Sequence, residues 1–178
     1  MITFSHTSIQ GANTSDVPAL VSLLNSAYRG EASQQGWTTE AHLIAGDVRT
    51  NEAVLMEVMQ KPHSIFLKYL DDGGNIVGCV NLQIKLNKIY LGMFAVAPAL
   101  QGAGIGKKLL LAADEYARSL GSRAIFMTVI SIRTELIAWY NRHGYAHTGK
   151  QQAFDEDGIS GKHLQPLSFV VLEKKITH

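Results

Sequence analysis

Three glycines at alternate positions, Gly102, Gly104 and Gly106, sit between a β-rich run and an amphipathic one. The segment reads Met93-Phe94-Ala95-Val96-Ala97-Pro98-Ala99-Leu100-Gln101-Gly102-Ala103-Gly104-Ile105-Gly106-Lys107-Lys108-Leu109. Glycine lets the backbone approach a ligand closely, because no side chain holds the ligand away. Where a strand turns into a helix, bare N–H groups and the positive end of the helix dipole face an anion together. The chemistry on offer is phosphate binding by the backbone of Gly102–Lys107. Two familiar phosphate loops fail on named residues. A dinucleotide fingerprint starting at Gly102 needs glycine at 107, where Lys107 stands. A Walker loop over 101–108 lacks its first glycine and puts Lys108 in place of the magnesium-binding hydroxyl. A loop whose glycines serve tight packing alone is the other reading.

The remaining reactive side chains are scattered. Cys79, the single cysteine, lies in an apolar run and reads as a small core residue without a disulfide partner. The seven histidines show neither metal-ligand spacing nor a nucleophile to activate, and His143 and His147 read as exposed. No metal and no covalent acyl-enzyme are expected.

The elements that must position the loop follow from periodicity. Residues 2–9 make an edge strand. A helix capped by Ser15 or Asp16 carries Val17, Leu20, Val21, Leu24, Ala27 and Tyr28 on one face. After a loop at 30–36, Thr38 or Thr39 caps a short helix through Ala45, and Thr50 caps another that Pro62 ends. The pattern then changes period. Strands are predicted over 65–70, 76–86 and 89–97, with a turn at Asp72-Gly73-Gly74-Asn75. Ile105, Leu109, Ala113, Tyr116 and Leu120 mark a long helix stopped by Gly121. A strand over 124–130, a helix with Leu136, Ile137 and Tyr140 ended by Gly144, and closing strands at 145–149 and 167–174 complete the chain. The polar stretch 152–166 reads as loop. The prediction is one domain over residues 1–178: an α/β fold with a mixed, mostly antiparallel sheet of six or seven strands and helices on both faces.

Composition narrows the function classes. With 178 residues, 46% of them hydrophobic, the chain can fill a core without disulfides or a structural metal. Sixteen basic and fifteen acidic residues leave a net charge of +1, which argues against a nucleic-acid scaffold. No run of eighteen apolar residues and no signal-peptide pattern occurs, so a cytoplasmic protein without membrane partners is expected. Oligomeric state is open, a homodimer included.

Gln101-x-x-Gly104-x-Gly106 after Ala95-Val96-Ala97-Pro98 resembles the coenzyme A signature of the GNAT superfamily of N-acetyltransferases. Val129 and Tyr140-Asn141-Arg142-His143-Gly144-Tyr145 resemble that family's downstream segment, and the element order is similar. Three positions depart from it: Arg133 stands for a common asparagine, Leu136 for alanine, and Tyr90 for a glutamate often found on the fourth strand.

The resemblance implies acetyl transfer from acetyl-CoA to a primary amine. It places the cofactor on Gln101, Gly102, Ala103, Gly104, Ile105, Gly106 and Lys107, with Arg133 nearby. It assigns the thioester carbonyl to backbone N–H groups of Phe94, Ala95 and Val96, and the departing thiol to the hydroxyl of Tyr140 as general acid. Tyr28, Glu31 and Trp37 fall in the variable wall that would face a small-molecule or peptide amine. Glu31, Glu40 and Asp47 are the carboxylates of that wall, and the base stays unassigned. The contrasting reading is an acyl-CoA-binding sensor that performs no transfer.

Overall fold

The computed structural model describes residues 2–178, so Met1 lies outside it. In chain order the strands are β1 (Ile9–Gly11), β2 (Ile44–Ala45), β3 (Ser64–Leu70), β4 (Ile76–Lys85), β5 (Lys88–Val96), β6 (Ala124–Ile130), β7 (Ala146–Phe154), β8 (Lys162–His163) and β9 (Leu167–Lys175). The helices are α1 (Val17–Tyr28), α2 (Gly30–Ser33), α3 (Glu52–Gln60), α4 (Ile105–Ser119) and α5 (Thr134–Arg142). Seven strands form one sheet in the order β1-β3-β4-β5-β6-β9-β7, while β2 pairs with β8. Within the large sheet only the β5–β6 neighbours are parallel.

Side chains alternate across the sheet, as a period of two requires. Phe66 and Cys79 pack with Leu20, Leu24 and Leu55 beneath α1 and α3. Leu67, Val80 and Leu82 face the other way, onto Leu109, Ala113 and Tyr116 of α4. Buried on both sides, the middle strands lack a polar face, which is why β4 reads as an almost unbroken apolar run.

Several predicted elements form close to their expected bounds: β3, β4, β5, β6, α4 and α5. Gly121 and Gly144 follow the last two helices with φ of 66° and 92°. Elsewhere the structure corrects the expectation. The edge strand is only Ile9–Gly11, paired with Leu67–Tyr69. A short helical turn, Thr14–Asp16, capped by Asn13, precedes α1; Asp16 stands at the N-cap of α1 but makes no side-chain cap hydrogen bond there. Asn51, not Thr50, caps α3 by accepting from the Val54 N–H at 2.9 Å. No helix runs from Thr38 to Ala45. The chain makes α2 earlier, and Leu43 and Ile44 are drawn into a small cluster with Ile130, Phe154, Leu167 and Phe169. The stretch 152–166 is partly strand, because β7 extends to Phe154 and β8 pairs with β2. Leu120, expected on the buried face of α4, is 44% exposed.

One irregularity shapes the sheet. On β4, Asn81 lies opposite Gly92 and Cys79 opposite Ala95, so Val80 faces both Met93 and Phe94. Met93 takes a left-handed φ of 44°. An extra residue of this kind bends its strand and increases the local twist. The β5–β6 ladder accordingly holds for Lys88–Tyr90 against Ala124–Phe126 and goes no further. Beyond Tyr90 the two strands part, leaving a wedge in the middle of the sheet.

Candidate active site

The glycine loop closes one end of the wedge. Gly102 and Gly104 have φ of 89° and 85°, and nothing lies within 4 Å of where a Cβ would stand on either. Tight packing therefore does not explain these two glycines; backbone conformation does. Gly104 precedes α4, whose first turn has neither a side-chain cap nor an acidic residue. Instead it carries Lys107 and Lys108. First-turn N–H groups lack intrahelical acceptors, and cations beside them oppose the helix dipole. An anion at this point would relieve both.

Beside this loop lies a cavity of about 270 Å³. Gly102, Gly104, Ile105, Gly106 and Lys107 form one wall, and Trp37, Phe94, Trp139 and His143 another. Gln101 lines it too, but its amide is already engaged. Its Oε1 accepts from the Trp37 N–H at 2.7 Å and the Thr38 N–H at 3.3 Å. Its Nε2 donates to Thr38 Oγ1 at 2.7 Å and to the Val96 carbonyl at 3.1 Å. Gln101 thus ties the loop after α2 to the end of β5. His143 stacks on Trp139 with ring centroids 4.3 Å apart. Partial burial, then Lys107, Arg142 and Lys174, lower its pKa.

A second cavity of about 650 Å³ occupies the wedge. Tyr28, Phe94, Leu136 and Tyr140 line both cavities, so the two meet there. The Tyr28 hydroxyl donates to the Phe94 carbonyl, fixing the bulge from the α1 side. Tyr140 is 6% exposed and packs against Phe94, Trp139 and Tyr145. Its hydroxyl takes no hydrogen-bond partner among the described residues. Burial, reinforced by Tyr28 and Tyr145, raises its pKa well above the usual phenol value, so the group holds its proton at neutral pH.

The charged lining of the second cavity is mostly cationic. Arg49, Lys61, Lys85 and Arg133 line it, with one carboxylate, Glu40. That carboxylate is shared: Arg29 Nη1 pairs with Oε1, and Arg133 Nη1 lies 3.3 Å from Oε2. Arg29 also donates through Nε to the Ser160 carbonyl at 2.9 Å, anchoring the loop before β8. Both arginines are buried at 2% exposure, and Arg29 Nη2 with Arg133 Nε and Nη2 lack partners.

The family sequence model described as Acetyltransferase (GNAT) family matches residues 18–145. The chain belongs to the GNAT acetyltransferase family. It is an acetyl-CoA-dependent acyltransferase. Mycothiol acetyltransferase of Pseudarthrobacter chlorophenolicus is 28% identical over 130 residues, covering 68% of this chain and 37% of that enzyme. The match therefore spans little more than a third of that relative's length. The uncharacterized N-acetyltransferase YjgM of Escherichia coli is 26% identical over 140 residues, 74% of this chain and 77% of that one. Among solved structures, the ribosomal-protein-S18-alanine N-acetyltransferase from Escherichia coli superposes with a TM-score of 0.71 at 16% identity, covering 96% and 94% of the two chains. Ribosomal-protein-alanine N-acetyltransferase from Brucella melitensis gives 0.69 at 19% identity, covering 94% and 99%. At these identities the structures share the fold.

Within this GNAT fold the sequence-predicted residues divide. Phe94, Ala95, Val96, Gln101, Gly102, Gly104, Ile105, Gly106, Lys107 and Tyr140 surround the first cavity. Ala103 belongs to the loop but lines neither cavity. Arg133, expected beside the cofactor, lines the second cavity instead, because Glu40 draws its guanidinium there. Trp37, expected on the acceptor wall, lines the first cavity, because Gln101 holds its backbone next to the glycine loop. Tyr28 touches both cavities; Glu31 is exposed on α2 and lines neither. Asp47 is exposed as well, and Glu40 is committed to two arginines. Trp139, His143 and, among the cavity's cations, Arg49, Lys61 and Lys85 were not singled out from sequence as site residues. Trp139 had one available signal, its place beside Tyr140 on α5. The arginine pair had none, since Glu40 and Arg133 are 93 residues apart.

Proposed function

We propose that the chain moves an acetyl group directly from acetyl-CoA to a small primary amine at the junction of the two cavities. The observation that carries the reading is the placement of Tyr140 at this junction, one arm of which ends on the uncapped first turn of α4. The N–H groups of Gly102–Lys107, with Lys107, would hold the pyrophosphate. The parted edge of β5 at Phe94, Ala95 and Val96 would face the pantetheine arm and the thioester carbonyl. Bound acetyl-CoA supplies the activated acyl group. Fixed N–H donors on that edge would stabilise the developing oxyanion as the amine nitrogen bonds to the carbonyl carbon. As the carbon–sulfur bond breaks, the Tyr140 hydroxyl hydrogen-bonds or donates to the departing thiolate, and solvent returns its proton.

The acceptor must arrive without its proton. An amine of pKa ~10.4 spends ~4–5 kcal/mol to be neutral at pH 7. No carboxylate in the second cavity is free to accept that proton. Its cations do part of that work, because neighbouring positive charge disfavours the ammonium form. The proton would then leave to water.

Tyr140→Phe tests the reading. The ring's volume is kept, so loss of turnover reports on the hydroxyl. We expect kcat to fall by ~10²–10⁴ while the coenzyme A dissociation constant changes far less. Equal kcat in two folded proteins would remove Tyr140 as the acid. Coenzyme A binding without transfer to any amine would instead favour the sensor.

A further inference from the structure

We propose that the acceptor is a small amine that also carries a carboxylate, held by the cations that line the second cavity. The proposal rests on acetyl transfer at Tyr140 as set out above. Two guanidiniums, Arg29 and Arg133, share the single carboxylate of Glu40 in a buried setting. One positive charge is left without a counter-ion, and three guanidinium nitrogens are left without acceptors. Buried donors and charges of this kind are costly unless met. Of the two arginines, Arg133 lines the cavity. Arg49, Lys61 and Lys85 line it too, and none of the three has a carboxylate partner among the described residues. The remaining lining is aromatic, apolar or neutral. A cavity so composed repels a polyamine and attracts an anion.

The spacing suits one molecule with two ends. Leu136 and Tyr140 line the second cavity from one face of α5, and Arg133, at the helix N-cap, lines it too. At 1.5 Å per residue, Tyr140 lies about 9 Å along the helix from Thr134, the residue next to Arg133. An amine placed at Tyr140 and Phe94 thus has its anion directed to Arg133. Guanidinium offers paired N–H groups that match a carboxylate.

The test compares matched acceptors: L-phenylalanine with phenethylamine, L-lysine with cadaverine, and phosphoethanolamine with ethanolamine. We expect kcat/KM for at least one amino acid to exceed that of its decarboxylated partner about ten- to a hundredfold, the range of one charge-assisted hydrogen bond. Arg133→Gln should collapse the ratio toward one. Because Arg133 is buried, the half-buried Arg49→Gln provides a second variant that avoids the Glu40 cluster. Calorimetry with the N-acetylated amino acid gives a readout independent of turnover, and its affinity should fall in both variants while that of coenzyme A holds. Equal use of both members of every pair, or a ratio unmoved in both folded variants, overturns the proposal and leaves the acetyltransferase reading standing. A preference confined to phosphoethanolamine overturns the carboxylate. Coenzyme A binding with no transfer to any acceptor overturns the reading and the proposal together.

Discussion

Gln101 and Gly36 form a contact whose energetics change sign with context. A Cβ added to Gly36 would stand 2.3 Å from Gln101 Oε1 and 2.6 Å from its Cδ. The φ of Gly36 is not left-handed, so alanine is tolerated by the backbone itself. The collision is with the end of a flexible side chain, which can swing away at the loss of its four hydrogen bonds. Net contributions of ~0.5–1.5 kcal/mol each, discounted for partial solvation, put that loss at about 2 kcal/mol. Gln101→Ala should cost the same, since it removes the same bonds. Gly→Ala also restricts the unfolded chain, which stabilises by ~0.4–1 kcal/mol. Gly36→Ala should therefore destabilise the wild type by about 1–1.5 kcal/mol and stabilise the Gln101→Ala protein by ~0.4–1 kcal/mol.

Urea unfolding of the four proteins measures this cycle, provided the slopes agree. Thermal midpoints should move by ~2–4 °C per kcal/mol for a chain of this length. A Gly36→Ala effect of the same sign and size in both backgrounds would refute the clamp. The clamp also sets where Trp37 stands beside the first cavity, so coenzyme A affinity should fall by similar factors in both single variants.

Four further outcomes follow from the structure. Gly106→Ala keeps the fold, because its Cβ would meet Trp139 at an ordinary 3.4 Å, yet it narrows the groove and should weaken coenzyme A binding by calorimetry. Gly104→Ala should lose ~1–2 kcal/mol of stability first, from its left-handed φ of 85°. Since burial raises the Tyr140 pKa above 10, the acid form persists past the usual phenol range. An alkaline limb in kcat below pH 10 that disappears in Tyr140→Phe would contradict this. Burial pushes the Cys79 thiol up to about 12, so the native protein should resist alkylation at pH 8 and react only as it unfolds.

What could be read beforehand was whatever repeats locally. The α4 face, the strand runs at 65–70 and 124–130, and the glycine stops at 121 and 144 each carry their signal within a few residues. The glycine loop belongs with them. What could not be read depends on a partner far along the chain. Leu43 and Ile44 look as helical as strand-like until Ile130 and Phe169 are beside them. β7 is exposed along eight of its nine residues, so its start was expected near 145–149 but nothing apolar announced its extension to Phe154. Arg133 and Trp37 each line a cavity, and which one was decided by Glu40 and Gln101, both distant in sequence.

The bulge at Met93 and Phe94 is the least legible feature and the one the site depends on most. Gly92 directly precedes it on β5, and Met93 itself takes a left-handed conformation that a methionine seldom adopts. Three side chains from outside β5 hold the strained end in place through its carbonyls. Cys79 meets the Met93 carbonyl at 3.4 Å, Tyr28 the Phe94 carbonyl, and Gln101 the Val96 carbonyl. Were β5 regular, its ladder with β6 would continue past Tyr90, and the strand edge would be spent on hydrogen bonds to Met127–Ile130. The wedge, the junction at Tyr140 and the cationic cavity beyond it all occupy the space that this pairing would close. The extra residue thus exchanges ladder hydrogen bonds for a free strand edge in the middle of a sheet, and the three carbonyl contacts are what keep that exchange from relaxing.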